Sequence, residues 1–155
     1  MRISVAKIEQ NGHFSAYPGV ERWFAVVRGD GVTLRFGSIV NVQRADTQPL
    51  CFDGAIAPDC ELLNDATQDL NLMVRSADGH GAMRLVAANV PWISAATLRA
   101  VYTAEPAVLV IADRLETVLP ADTLAWSDDA AHQRWHLAGT GAGAPLRAWW
   151  LAFSG

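Results

Sequence analysis

Turn signals recur along this chain at intervals too short for helices. Asn11-Gly12, Pro18-Gly19, Gly29-Asp30-Gly31, Gln48-Pro49, Asp53-Gly54, Asn64-Asp65 and Asp78-Gly79 punctuate the first half. The stretches between them are short and rich in β-branched and aromatic residues, and turns spaced by roughly 8–12 residues are the pattern of an antiparallel sandwich or barrel. No sustained 3.6-residue period appears, so an all-β fold is expected. Gly29-Asp30-Gly31 reads as the turn of a hairpin between Glu21–Val27 and Val32–Phe36. The second half repeats the style. Strands are expected at Ala82–Ala88, Ala107–Ala112, Thr123–Trp126, Gln133–Leu137 and Leu146–Phe153, with one helical turn at Ala96–Ala100 and a hairpin turn at Gly139–Gly143. Ala107–Ala112, the most apolar run, is expected to be buried on both faces.

The stretch from Asp69 to Arg75 is the most unusual. Asp69, Asn71, Met73 and Arg75 alternate with Leu70, Leu72 and Val74, and in a strand these sets point to opposite faces. One face is aliphatic. The other carries a carboxylate, an amide, a thioether and a guanidinium. Two readings follow: an edge strand with a solvated face, or the wall of a barrel that is polar inside and packed outside.

Composition narrows the class of protein. The chain has 155 residues, 51% hydrophobic and 18% charged, enough to bury a core. A net charge of −4 and the lack of any Lys/Arg run argue against nucleic acid as a partner. No stretch of about 18 apolar residues exists to span a membrane, and Met1–Val5 lacks the apolar core of a signal peptide. Cys51 and Cys60 make no disulfide framework and are expected to be small buried hydrophobes in a reducing cytoplasm. Of the six tryptophans, Trp23, Trp126 and Trp135 are expected to pack between sheets. Trp149 and Trp150, being adjacent, face opposite ways.

Catalytic signatures are thin. His132 and His136 are four apart, which on a helix would place both on one face, but they flank Arg134 in a stretch that reads as a strand with a solvated side. His80 sits in a glycine loop without a nearby Cys or His and His13 follows a turn, so no metal is expected. Gly139–Gly143 leads into a terminal strand rather than opening a helix, unlike a dinucleotide-binding loop. No Gly-x-Ser-x-Gly elbow is present.

Three pieces, set side by side, carry a resemblance: His13-Phe14-Ser15-Ala16-Tyr17-Pro18-Gly19-Val20-Glu21-Arg22, Phe52-Asp53-Gly54 and Asp69–Arg75. In order and spacing they resemble the HutD/Ves family of small bicupin proteins. The opening Arg2–Ala6 and the Gly29-Asp30-Gly31 turn add to it. The resemblance implies a cupin-type bicupin, two packed, jelly-roll-like antiparallel β-barrels in one chain, with cupin-like halves at about residues 1–78 and 79–155. It implies an accessory or regulatory protein of bacterial histidine utilisation, without metal or other cofactor, that binds a small acidic or imidazole-containing metabolite. It also implies a preceding strand with a Trp-Lys-Asn-Gly-Gly segment. This sequence starts after that point, and the expectation is a sheet edge left for a homodimer partner or a neighbouring segment to cover.

Taken on their own chemistry, Arg2, Arg22 and Arg75 are candidates to hold a carboxylate. Asp69 and Asn71 would receive an N–H donor, and Phe14 and Phe52 would form an apolar wall. Ser4, Ser15 and Met73 complete the expected ligand contacts. The rival readings are an isomerase or hydrolase of the same fold using Asp69 as acid or base, and a protein-binding module without a ligand.

Overall fold

The computed structural model describes residues 1–129, 132–141, 143–144 and 146–155. All regular structure among them is β, in two compact units, Met1–Gly81 and Ala82–Gly155. The first unit holds β1 (Arg2–Ile8), β2 (Gly12–His13), β3 (Val20–Arg28), β4 (Val32–Phe36), β5 (Ile39–Gln43), β6 (Leu50–Asp53), β7 (Asp59–Leu62) and β8 (Thr67–Arg75). β9 (His80–Leu85) leads into the second unit. There follow β10 (Leu98–Thr103), β11 (Ala107–Ile111), β12 (Leu115–Leu119), β13 (Thr123–Ser127), β14 (Trp135–Gly139) and β15 (Ala148–Ser154).

Four antiparallel sheets result, in the orders β1-β8-β3-β6, β2-β7-β4-β5, β13-β10-β15-β9 and β12-β11-β14. In none of them does the first strand pair with the last, so the sheets are open rather than closed barrels. Each unit has its own core. In the first, Phe24 and Val26 of β3 meet Val32 and Leu34 of β4 and Cys60 of β7. In the second, Val101 and Trp150 meet Leu109, Trp135 and Leu137.

The Asp69–Arg75 stretch lies in β8, between β1 and β3 and away from any sheet edge. Its aliphatic residues Leu70, Leu72 and Val74 are fully buried, and so are Asp69 and Asn71 on the opposite face. The solvated-edge reading fails for a physical reason: hydrogen bonds to β1 and β3 use both sides of the strand, and polar residues covered on both flanks must find partners inside.

Several expectations are corrected. Gly29-Asp30-Gly31 turns the chain, but β3 and β4 belong to different sheets and form no hairpin. Gly31, with φ of 105°, lies so close to the Gln43 carbonyl that a Cβ would collide with it, and its N–H donates to Thr67 Oγ1 at 3.2 Å. These glycines allow the backbone to pass from one sheet to the next. Likewise β14 pairs with β11 and β15 with β10, so Gly139–Gly143 joins two sheets; Ala142 of that stretch lies outside the described residues. In place of a helical turn at Ala96–Ala100 the chain enters β10 at Leu98, where β-branched Val101 and Thr103 pack in a central strand. In β11 only Ala107 and Leu109 are fully buried. Cys60 is buried but Cys51, on edge strand β6, is exposed. Trp126 is 60% exposed because β13 is also an edge.

Candidate functional site

Strand register assembles the site. Met73 of β8 lies opposite Arg2 of β1 and Arg22 of β3; Asn71 lies opposite Ser4 and Phe24; Asp69 lies opposite Ala6 and Val26. Directly opposed residues share a face. One face of this sheet therefore carries Arg2, Ser4 and Ala6, then Met73, Asn71 and Asp69, then Arg22. Arg22 in turn is paired with Phe52 of β6.

A loop closes over this face. Tyr17 N–H donates to the Gly54 carbonyl at 2.6 Å, and Gly54 N–H donates to the Val20 carbonyl at 2.7 Å. Phe14 N–H donates to the Pro58 carbonyl at 3.0 Å. These bonds hold residues 14–20 in place, and Asp53 Oδ1 caps the adjoining turn by accepting from Ala55 N–H at 2.9 Å. The result is a cleft of ≈ 280 Å³ lined by Arg2, Ser4, Ala6, His13, Phe14, Ser15, Tyr17, Arg22, Asn71 and Met73. Two guanidiniums and several hydroxyls line it, and no carboxylate does.

Beneath the cleft runs a buried polar chain. Arg22, 7% exposed, donates from Nε and Nη2 to Asn71 Oδ1 at 3.0 and 2.8 Å. Asn71 Nδ2 donates to Asp69 Oδ2. Asp69 Oδ1 is buried without a hydrogen-bond partner. Burial pushes the Asp69 carboxyl up to about 6, against the opposing pull of the Asn71 amide and the Arg22 charge. Burial likewise lowers the pKa of the Arg22 guanidinium, opposed by Asp69, but an arginine stays charged throughout the physiological range. The guanidinium also lies 4.4 Å from the Phe14 ring centroid and 5.5 Å from that of Phe52, an arrangement that fixes its plane. Its Nη1 makes no hydrogen bond among the described residues.

The expected site residues fall into two groups. Arg2, Ser4, Phe14, Ser15, Arg22, Asn71 and Met73 converge on the cleft. Asp69 sits behind Asn71, and Phe52 supports Arg22 while lining a separate depression of ≈ 390 Å³ with Glu21, Cys51 and Asp53. Arg75 leaves the site altogether: it is exposed and pairs with Asp78 at 2.8 Å. Ala6, His13 and Tyr17 were not among the expected contacts. Ala6 follows from the alternation of Arg2 and Ser4, but His13 and Tyr17 depend on the closure of the loop, which no local pattern announces. His13 Nδ1 lies 2.5 Å from Asp59 Oδ1, its cross-strand neighbour. Among the described residues no cluster of three or more His, Cys, Asp or Glu could hold a metal ion. Among the described residues no helix is long and apolar enough to cross a membrane.

Fold and site thus define an all-β, antiparallel protein with an arginine-bearing cleft on one sheet of its first unit. The HutD family model matches residues 1–144, and the chain belongs to the HutD family. A curated relative, an uncharacterized 21.2 kDa protein from the region 3′ of hutC in Pseudomonas putida, is 33% identical over 72 residues. That match takes in 46% of this chain and 38% of the relative, so the chain spans well under half the length of the curated relative it matches. Two solved structures share the fold at 21% identity. One is a conserved protein of unknown function from Pseudomonas aeruginosa PAO1 (TM-score 0.84, covering 99% of this chain and 82% of that one). The other is HutD from Pseudomonas fluorescens SBW25 in a formate condition (TM-score 0.81, covering 99% and 78%).

Proposed function

We propose that this chain is a cytoplasmic, metal-free bicupin of the cupin type that binds a small acidic metabolite and serves histidine utilisation as an accessory or regulatory protein. The observation that carries the binding role is the cleft with two arginines and no carboxylate, backed by the Arg22–Asn71–Asp69 chain. Arg22 Nη1 and the Arg2 guanidinium supply charge-assisted donors for a carboxylate. The Ser4, Ser15 and Tyr17 hydroxyls serve an amide or imidazole elsewhere on the ligand. Asp69 is a positioning residue: it does not line the cleft, and it holds Asn71 so that Asn71 holds Arg22. That favours binding over an acid–base role for Asp69 in turnover. Membership of a family whose relative lies beside hutC supports the pathway.

The test is a thermal-shift series with histidine, urocanate, formiminoglutamate, formylglutamate and glutamate. A ligand that binds only the folded state stabilises by RT ln(1 + [L]/Kd), about 2.7 kcal/mol at a hundredfold excess over Kd. The expected result is a shift with at least one organic acid, lost in Arg2→Gln and Asn71→Ala. Silence across the series would overturn the proposal.

A second reading, a protein-binding module, is favoured by edge strand β5, where Ile39, Val40 and Val42 are 67%, 50% and 45% exposed. Such an edge suits pairing with a second copy. Light scattering separates the readings: a dimer broken by Val40→Lys favours the second.

A further inference from the structure

The second unit contains a cleft of its own. It measures ≈ 200 Å³ and is lined by Arg84, Trp92, Ser94 and Trp150, with Met83 and Ala152 among the apolar wall residues. The arginines direct attention to it. Among the described residues, Arg2, Arg84 and Arg114 are the arginines whose side chains make neither a hydrogen bond nor an ion pair. Arg2 lines the first cleft and Arg84 lines this one.

The walls are held in advance of any ligand. Trp92 stacks on Trp150 with centroids 4.7 Å apart and planes 18° apart, and Trp135 meets Trp92 edge-on at 6.1 Å. The Trp92 backbone is bonded both ways to Trp135, at 2.6 and 2.9 Å. The Arg84 guanidinium lies 5.7 Å from the Trp92 ring centroid, so the indole orients it without consuming its N–H donors. Ser94 Oγ accepts from Ala96 N–H at 3.2 Å, which leaves its own O–H to donate. An oriented guanidinium, a free hydroxyl donor and a floor of indoles and a thioether form a preorganised site for an anion with a flat apolar body.

We propose that this cleft is a second ligand site, distinct from the one in the first unit, and that it takes a small aromatic carboxylate whose ring is apolar. The carboxylate sits on Arg84 and the Ser94 hydroxyl, and the ring lies against the Trp92–Trp150 and Met83 surface. The first cleft, with two arginines and several hydroxyls, suits a more polar acid. The two sites therefore differ in ligand class.

Benzoate is the probe, followed by tryptophan fluorescence and by calorimetry on the full chain. Benzoate is expected to alter the fluorescence saturably. A charge-assisted contact is worth roughly 1.5–3 kcal/mol, so Arg84→Gln should weaken binding by about 10- to 150-fold. Asn71→Ala, in the first cleft, should leave it unchanged. Benzamide, which lacks the charge, and acetate, which lacks the ring, should each bind at least about tenfold more weakly than benzoate. Arg84 is exposed, so its replacement leaves the core intact; Ser94→Ala, expected to weaken benzoate by about threefold, gives a second and independent reading. Equal benzoate affinity in Arg84→Gln, loss in Asn71→Ala, acetate binding as well as benzoate, or no saturable binding would each overturn the proposal.

Discussion

A guanidinium taken out of water must have its charge and its N–H donors satisfied nearby. Arg22 meets this with a neutral amide in contact, aromatic faces on Phe14 and Phe52, and a carboxylate one residue further back. Two consequences belong to single residues. Arg22→Lys keeps the charge but loses the forked contact to Asn71 Oδ1 and the planar stack. It should lower stability by about 1–3 kcal/mol in chemical denaturation and abolish acid binding, whereas an unaffected variant would show the fork to be dispensable. Asp69 gives a pH dependence. Its folded pKa, about 6, lies above the unfolded carboxylate value near 4. The folded state thus holds the proton more tightly, and the contribution to stability is fully present below about pH 4 and is lost as pH rises through about 6. The loss relative to Asp69→Asn should be about 2 kcal/mol between pH 4 and 7. Denaturation curves of both proteins at several pH values read it directly, and parallel pH profiles would refute it.

At the scale of elements, glycine decides how the cleft is roofed. A Cβ on Gly54 would lie 2.7 Å from the Val20 carbonyl oxygen and 2.8 Å from that of Tyr17. Both atoms are backbone and cannot move aside cheaply. Gly54→Ala should therefore cost about 2 kcal/mol or more and weaken acid binding, since the loop with Phe14, Ser15 and Tyr17 is displaced; wild-type melting and affinity would show that the roof tolerates movement. The same element shows what was legible beforehand. Phe52-Asp53-Gly54 was recognisable as a motif and as a turn, but its function, tying down a loop more than thirty residues earlier, is a long-range contact without local signature. Strand identity was readable wherever alternation was strong, as in β8. Strand pairing was not. Both glycine clusters signalled a reversal, yet each carries the chain between sheets instead of folding it into a hairpin. Glycine reports permitted backbone angles, not the neighbour of the next strand. Arg75 was misplaced for a similar reason: alternation assigns it to the face of Asp69 and Asn71, but it falls at the end of β8, where solvent and Asp78 compete for it.

Across the whole molecule, the distribution of potential metal donors supports a prediction about cofactor removal. Among the described residues no three potential donors come together: His13 faces Asp59 at 2.5 Å, His80 approaches Glu21 at 3.7 Å, and His136 is half-buried on β14. Burial pushes the Cys60 thiol up to about 11, which disfavours the thiolate that a metal requires. The first cleft gathers two guanidiniums, hydroxyls and an amide with one imidazole, one thioether and no carboxylate, a set better matched to an anion than to a cation. Treatment with a strong chelator should therefore leave both the melting temperature and acid binding unchanged. A resident structural metal would instead make the chelator destabilising, because its binding free energy is part of the folding free energy. A fall in melting temperature on chelation, restored by one divalent metal, would place a cation in the protein and require the acid to bind through it rather than through Arg2 and Arg22. Running the chelated protein against Arg2→Gln separates the two cases: if the arginines hold the ligand, only the substitution removes binding.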